Sequence, residues 1–422
     1  MVHGEKLATE KKLPSLLEAD DVQSEKLQLG EETVSQTEVD LRGPKDQRSS
    51  LCRNLLDRGE REVKEEKDQE EELGGEDCVI FNEDYDTDLE LRDREEAYDP
   101  TGYMEACEAL QVVPAYNFLR NMHKSELSMM HRCLGPQGTK ALAVPLVTNT
   151  SILRLNLRDN WMEGMGGAAI AEMLKENCYI TEVDLSDNYL GDHGARAIAS
   201  MLKENSTLVN LNLSGNHFTD RSIEHLGPAL ITNSRLQHLD LSHNTLGERA
   251  GQSLGHALSE NTGLRSLSLA WNTIRGRGAA ILANGLGGNI YLRTVDLSFN
   301  GLGKEGGVAL GQALKENSVL EELNLSTNRI PPEGAMRLAM GLKVNKTIKS
   351  LNMGRNPIQN AGCFSILKSL QENPDSAMEA LYFSDITVNQ DFEDLYRAVK
   401  EIFPALTVNH GGRIGTFRKA KA

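Results

Sequence analysis

The sequence predicts an α/β stacked-repeat fold, with short parallel strands on one face and helices on the other. Three regularities predict it. Asparagine recurs every 28 residues, at Asn160, Asn188, Asn216, Asn244, Asn272, Asn300, Asn328 and Asn356. Each closes an apolar pattern of the form Leu208, Leu211, Leu213, Asn216. A second asparagine follows seventeen residues later, from Asn177 and Asn205 through Asn345 and Asn373. A fixed period in the range of about 20–50 residues marks units that must stack to bury their apolar side.

Within one unit the elements follow in order. The apolar-x-apolar core, such as Leu211 and Leu213, is a short strand with one buried and one exposed side. The closing asparagine carries donor and acceptor atoms where the chain leaves the strand. It is expected to satisfy backbone groups of neighbouring coils. Six residues on comes a small residue, as at Gly166, Ser222, Ala250 and Gly306. Apolar pairs at i, i+4 spacing follow, such as Leu254 and Leu258, and mark one face of a helix of about three turns. The second asparagine suits a helix C-cap in the left-handed conformation, which asparagine tolerates.

The first hundred residues are different material. They hold 31 acidic and 14 basic residues, whereas the remaining 322 hold 31 of each. All the net charge of −17 therefore lies in residues 1–100, an acidic leader expected to be disordered. Attraction to a basic partner, or shielding from nonspecific contacts, are roles for such a leader. Asp84, Asp86, Asp88, Glu90 and Glu95 fall at calcium-loop spacing, but Leu89 stands where the sharp turn needs glycine, so no metal site is expected. Residues 101–126 read as an N-terminal cap, with Met104 to Leu119 able to cover the first coil. Residues 127–376 read as about nine coils. Residues 377–422 read as a degenerate last repeat, a cap over Phe392 to Ile402 and a short basic tail.

The unit resembles a leucine-rich repeat of the ribonuclease-inhibitor class, also used by the Ran GTPase-activating protein. The edges VVPAYNFLR (residues 112–120) and NPDSAMEALYFSDITVN (residues 373–389) resemble the leucine-rich-repeat-containing 74 family. The resemblance implies a leucine-rich repeat solenoid, an open horseshoe arc with a parallel sheet on the concave face and helices on the convex face. It implies no established activity.

Chemistry-bearing signals are weak. Gly301, Gly303 and Gly306 spell a dinucleotide-turn pattern, yet Gly306 fills the small-residue slot of every coil, so no cofactor is expected. No metalloprotease, nucleophile-elbow, P-loop or zinc spacing occurs, and the chain reads as a non-enzyme without a small-molecule substrate. Residues 1–30 lack a signal-peptide core, and no apolar run is long enough to span a membrane. The six cysteines lack paired spacing, which fits thiols in the cytosol or nucleus.

The candidate site is the exposed sheet face and its edge. The middle outward slot includes Asp184, Asp240 and Asp296, and the slot before it includes His238, with no basic stripe. Nucleic acid is therefore disfavoured as a partner. The slot before the closing asparagine runs Asp159, Asp187, Gly215, His243, Trp271, Phe299, Thr327, Arg355. Trp271 and Phe299 occupy adjacent coils, beside His243 and Arg275, and read as an interface anchor. The alternative is that both rings fold over the loop and pack on their own coil. The expected function is a scaffold gripping a protein partner through His238, Asp240, His243, Trp271, Arg275, Asp296 and Phe299. Regulation of a small GTPase is the other reading.

Overall fold

The structure, a computed structural model, describes residues 101–414. The acidic leader, the calcium-like spacing within it, Cys52, Cys78 and the last eight residues lie outside the described residues. Two short helices, α1 (Thr101–Ala109) and α2 (Tyr116–Asn121), precede the first strand, β1 (Glu126–Ser128), and its helix α3 (Gly135–Leu146). The pair then repeats: β2 (Arg154–Asn156) with α4 (Glu163–Glu176), β3 (Glu182–Asp184) with α5 (Gly191–Glu204), and β4 (Asn210–Asn212) with α6 (Asp220–Thr232). Next come β5 (His238–Asp240) with α7 (Glu248–Glu260), β6 (Ser266–Ser268) with α8 (Gly276–Gly288), and β7 (Thr294–Asp296) with α9 (Gly303–Glu316). The series closes with β8 (Glu322–Asn324) and α10 (Pro332–Leu342), β9 (Ser350–Asn352) and α11 (Gln359–Gln371), β10 (Ala380–Val388) and α12 (Gln390–Ile402), and β11 (Thr407–Arg413).

The strands form one 11-stranded sheet in sequence order, and every pairing is parallel. The register follows the repeat, so Val183, Leu211, Leu239, Leu267, Val295 and Leu323 face one another directly. Each is at most 4% exposed, and the helix leucines behind them, such as Leu254 and Leu258, are fully buried. Strands pack about 4.8 Å apart and helices about 8–10 Å apart, so such a stack bends with the sheet on the inside.

The closing asparagines behave as expected. Asn216 Nδ2 donates to the carbonyl of Leu185 in the preceding coil at 2.9 Å, while its Oδ1 accepts from Asn188 N at 3.0 Å. The second asparagines correct the expectation. Asn177, Asn205, Asn233, Asn261, Asn289 and Asn317 are C-caps, but their backbones are extended, with ψ between 117° and 132°, not left-handed. Their side chains are what the position needs. Asn233 Nδ2 donates to Leu202 O at 2.7 Å and Asn205 O at 3.3 Å, and its Oδ1 accepts from Arg235 N and Leu236 N at 2.9 and 2.8 Å.

Carboxylates also tie coils together. Asp192, at the start of α5, accepts from the hydroxyls of Thr219 and Ser222 at the start of α6, at 2.8 and 2.5 Å. Burial raises its pKa, but those two hydroxyls and the charge of Arg221 outweigh burial and hold the carboxyl below its ordinary value. Its contribution is therefore present at neutral pH and is lost only as pH falls through that lowered value.

Both ends of the stack are covered. Asn117 on α2 donates to Ser128 O at 3.0 Å, and the buried rings of Tyr103 and Phe118 meet edge to face at 4.7 Å. At the other end α12 packs where a cap was expected, but the chain then adds β11, which pairs with a nine-residue β10. Buried Glu393 accepts from Arg413 Nε at 2.9 Å, with His410 Nε2 3.3 Å away, and so pins β11 to α12. The four described cysteines form no disulfide, and burial pushes the Cys363 thiol up to about 12. No helix among the described residues is long and apolar enough to cross a membrane.

Candidate functional site

The site is built where each strand hands over to its loop. The middle outward residue of the strand turns its side chain back on its own backbone: Asp240 Oδ1 accepts from Ser242 N at 2.8 Å, and Asp296 Oδ1 from Ser298 N at 2.8 Å. Asn156, Asp184, Asn212, Asn324 and Asn352 do the same. The polar ladder read from the sequence is therefore first a row of Asx turns. Two of them accept a second bond: Asp296 Oδ2 from Asn324 Nδ2 at 3.0 Å, and Asp184 Oδ1 from Ser186 Oγ at 2.6 Å.

After that turn, the residue before the asparagine enters the left-handed region in every coil. His243, Trp271 and Phe299 have φ of 54°, 54° and 53°; Gly215, in the same slot, has 67°. For a residue with a Cβ this conformation costs about 1 kcal/mol or more. It still lets the backbone pair, because Trp271 N donates to Ser298 O at 2.9 Å and Phe299 N to Ser326 O at 3.0 Å. The side chains are turned out along the rim at the coil repeat.

There the rings form a pile. Trp271 and Phe299 stack with centroids 3.8 Å apart and planes 9° apart, and His243 stacks on the other face of Trp271 at 5.3 Å and 15°. Trp271 remains 49% exposed. The rings pack on neighbouring coils, not each over its own loop. Beside the pile lies a cleft of about 340 Å³, lined by Trp271, Phe299, Arg275, Thr327, Arg329 and Arg355 among others. Gly301, between Thr273 and Arg329 in its slot, is also in the lining and puts no side chain into it.

The structure thus separates the seven residues read from the sequence. Trp271, Phe299 and Arg275 line the rim cleft, with His243 stacked behind Trp271. His238 and Asp240 instead line a shallow cavity of about 630 Å³ on the sheet face over β1 to β6. That cavity is predominantly acidic, with Glu126, Glu182 and Asp184 against Arg154 and His238, and Arg154 is paired to Glu126. Asp296 lines neither.

Sequence reasoning missed a second pile. Trp161, Tyr189 and His217 follow the closing asparagine in three successive coils. Trp161 and Tyr189 lie 5.1 Å apart, and Tyr189 and His217 stack at 4.9 Å and 17°. It also missed Arg329, and it read Arg355 in its slot without assigning it to the site. Reading the slot after the asparagine, and not only the one before it, would have found Arg329 and the second pile. No group of three or more His, Cys, Asp or Glu among the described residues is placed to hold a metal ion.

Comparison with known proteins adds the following. The family model for the TMOD/LMOD leucine-rich domain matches residues 165–285, and a leucine-rich repeat model matches residues 148–171, 288–311, 316–339 and 344–367. Leucine-rich repeat-containing protein 74B of Homo sapiens is 50% identical over 48 residues, which is 11% of this chain and 12% of that protein. The Mus musculus protein of that name is 48% identical over 54 residues, 13% of this chain and 14% of that protein. The match thus spans about an eighth of the curated relatives. Among solved structures, leiomodin-1 actin-binding site 2 is 25% identical with a TM-score of 0.30, covering 35% of this chain and 88% of that one. The leucine-rich repeat domain of APL1 is 17% identical with a TM-score of 0.37, covering 64% and 58%.

Proposed function

From the premise that this chain is a leucine-rich repeat protein, similar in part to protein 74B, we propose that it is a non-enzymatic scaffold holding a protein partner at the rim of its sheet. The observation that carries this reading is the pile His243–Trp271–Phe299, three aromatic faces stacked across three coils with the central indole half exposed. Half-exposed tryptophan over a preformed surface is the composition of an interface hot spot. Neither Trp271 nor Phe299 belongs to the buried hydrophobic core. The sheet face, with His238 and Asp240, supplies the adjoining contact surface. Partner identity and compartment do not follow from the fold.

The test is affinity capture with the full-length chain and with the double variant Trp271→Ala, Phe299→Ala. Hot-spot truncation costs about 2 kcal/mol or more, so retained partners are expected to drop at least about 30-fold. Stability is expected to fall by only about 1–2 kcal/mol, the worth of the lost stacking. An unchanged set of captured proteins places the interface elsewhere. A collapse of the thermal midpoint makes the rings structural. Acceleration of GTP hydrolysis by any small GTPase would replace the scaffold reading with a regulatory one.

A further inference from the structure

We propose that the rim cleft takes an extended acidic peptide segment laid across the coils over Arg275 and Arg329. This deepens the scaffold reading and rests on it. Four observations point to this chemistry. First, the two guanidinium groups are exposed, and neither has a carboxylate partner among the described residues; Arg355 beside them is tied to Asp385 at 2.8 Å. Unpaired guanidinium groups flanking a cleft present fork-shaped donors that match carboxylates.

Second, the aromatic wall has the same polarity. Both faces of Trp271 are occupied, by Phe299 and His243, so the exposed part of the indole is its edge. Ring edges carry partial positive charge, and the indole N–H finds no acceptor among the described residues. Third, the Thr327 hydroxyl, in the cleft lining between Phe299 and Arg355, is buried without a hydrogen-bond partner, whereas nearly every other buried side-chain polar atom has one.

The fourth observation is spacing. Arg275 and Arg329 belong to coils two apart, a rise of about 10 Å at about 4.8 Å per strand. An extended chain covers that distance in about three residues. A long polyanion does not suit the surface, because the basic stretch is short. Asp296 and Glu322 lie on the sheet beside it, and Asp385 stands at its end. The acidic cavity on the sheet face continues that repulsion toward β1. The short extent of the basic stretch, bounded by carboxylates, thus selects a short acidic peptide over nucleic acid.

The test uses the full-length chain with Trp161→Phe, which leaves Trp271 as its single tryptophan. Its emission is followed on adding an oligo-glutamate peptide of about ten residues, enough to span the arginines at about 3.3 Å per residue. Oligo-lysine of equal length and a short single-stranded DNA are the comparison probes. Oligo-glutamate is expected to give a saturable change that weakens with added salt. Arg275→Gln with Arg329→Gln is expected to weaken it about tenfold, as two partly exposed ion pairs would, with the thermal midpoint unchanged. No response at millimolar oligo-glutamate, preference for DNA, or indifference to the arginine substitutions overturns the proposal. If the arginine variant still captures the proteins that Trp271→Ala, Phe299→Ala loses, the rim reading stands and the acidic chemistry alone falls.

Discussion

Asn233→Ala is expected to lower stability by about 3–6 kcal/mol, because it strands buried backbone groups of two coils at about 1–3 kcal/mol each. Four hydrogen bonds disappear together: the carbonyls of Leu202 and Asn205, at the end of the preceding coil's helix, lose their donor, and the N–H groups of Arg235 and Leu236 lose their acceptor. Asn233 is 6% exposed, so water reaches the orphaned groups poorly. Urea denaturation measures the loss. In a stack whose coils touch only their neighbours, breaking one link also divides the cooperative unit, so a broadened or two-step transition is expected. Asn233→Asp, which keeps the acceptor and loses the donor, is expected to fall between the two. A midpoint unchanged by Asn233→Ala would show that the asparagine rows do not couple the coils.

The second large effect lies on the helix side. A Cβ at Gly285 would stand 2.1 Å from Gly255 O, and one at Gly255 would stand 2.4 Å from Ile281 O. The backbones of α7 and α8 therefore touch, and nothing flexible can yield. Gly285→Val is expected to cost about 3 kcal/mol, the upper range for overpacking against a rigid neighbour. Three residues along the same helix, a Cβ at Gly288 meets nothing within 4 Å. Gly288→Val there is expected to be neutral or slightly stabilising, since valine is a better helix former than glycine. Opposite signs from one helix, read as thermal midpoints, separate packing from propensity. The contact also matters to the rim, because α7 follows His243 and α8 follows Trp271; forcing the helices apart should weaken the pile.

Much of this fold can be read from the residues themselves, and the reason is physical. A slot that must bury a leucine or pair a strand exit repeats at fixed spacing, so eight copies reveal it. The misses share a different cause. Asn233 and its equivalents were expected to end helices through backbone conformation, but asparagine has two talents, and the side-chain bonds won. The middle outward slot, with Asp240 and Asp296, read as a surface because exposure and turn-making place the same residue types there. β11 was missed because Thr407–Arg413 is glycine-containing and pairs across the stack only after α12 has positioned it.

The rim was half legible. Trp271 and Phe299 stood out as large rings in an outward slot, and their stacking follows from the coil repeat. Arg329, Arg355 and the pile from Trp161 to His217 did not stand out, because the slots beside the asparagine vary freely. Thr245, Thr273, Gly301 and Pro357 occupy the slot that Trp161, Tyr189 and Arg329 fill elsewhere. Free variation is what a surface permits, so a binding residue there is invisible until its neighbours in space are known.

A partner seated on the outward face of this ring pile would shield Trp271, and acrylamide quenching of Trp271 in the Trp161→Phe chain, alone and with a captured partner bound, measures that shielding. Strong quenching in the free chain and protection in the complex is the result expected of a half-exposed indole at an interface. Equal quenching in both states would contradict it.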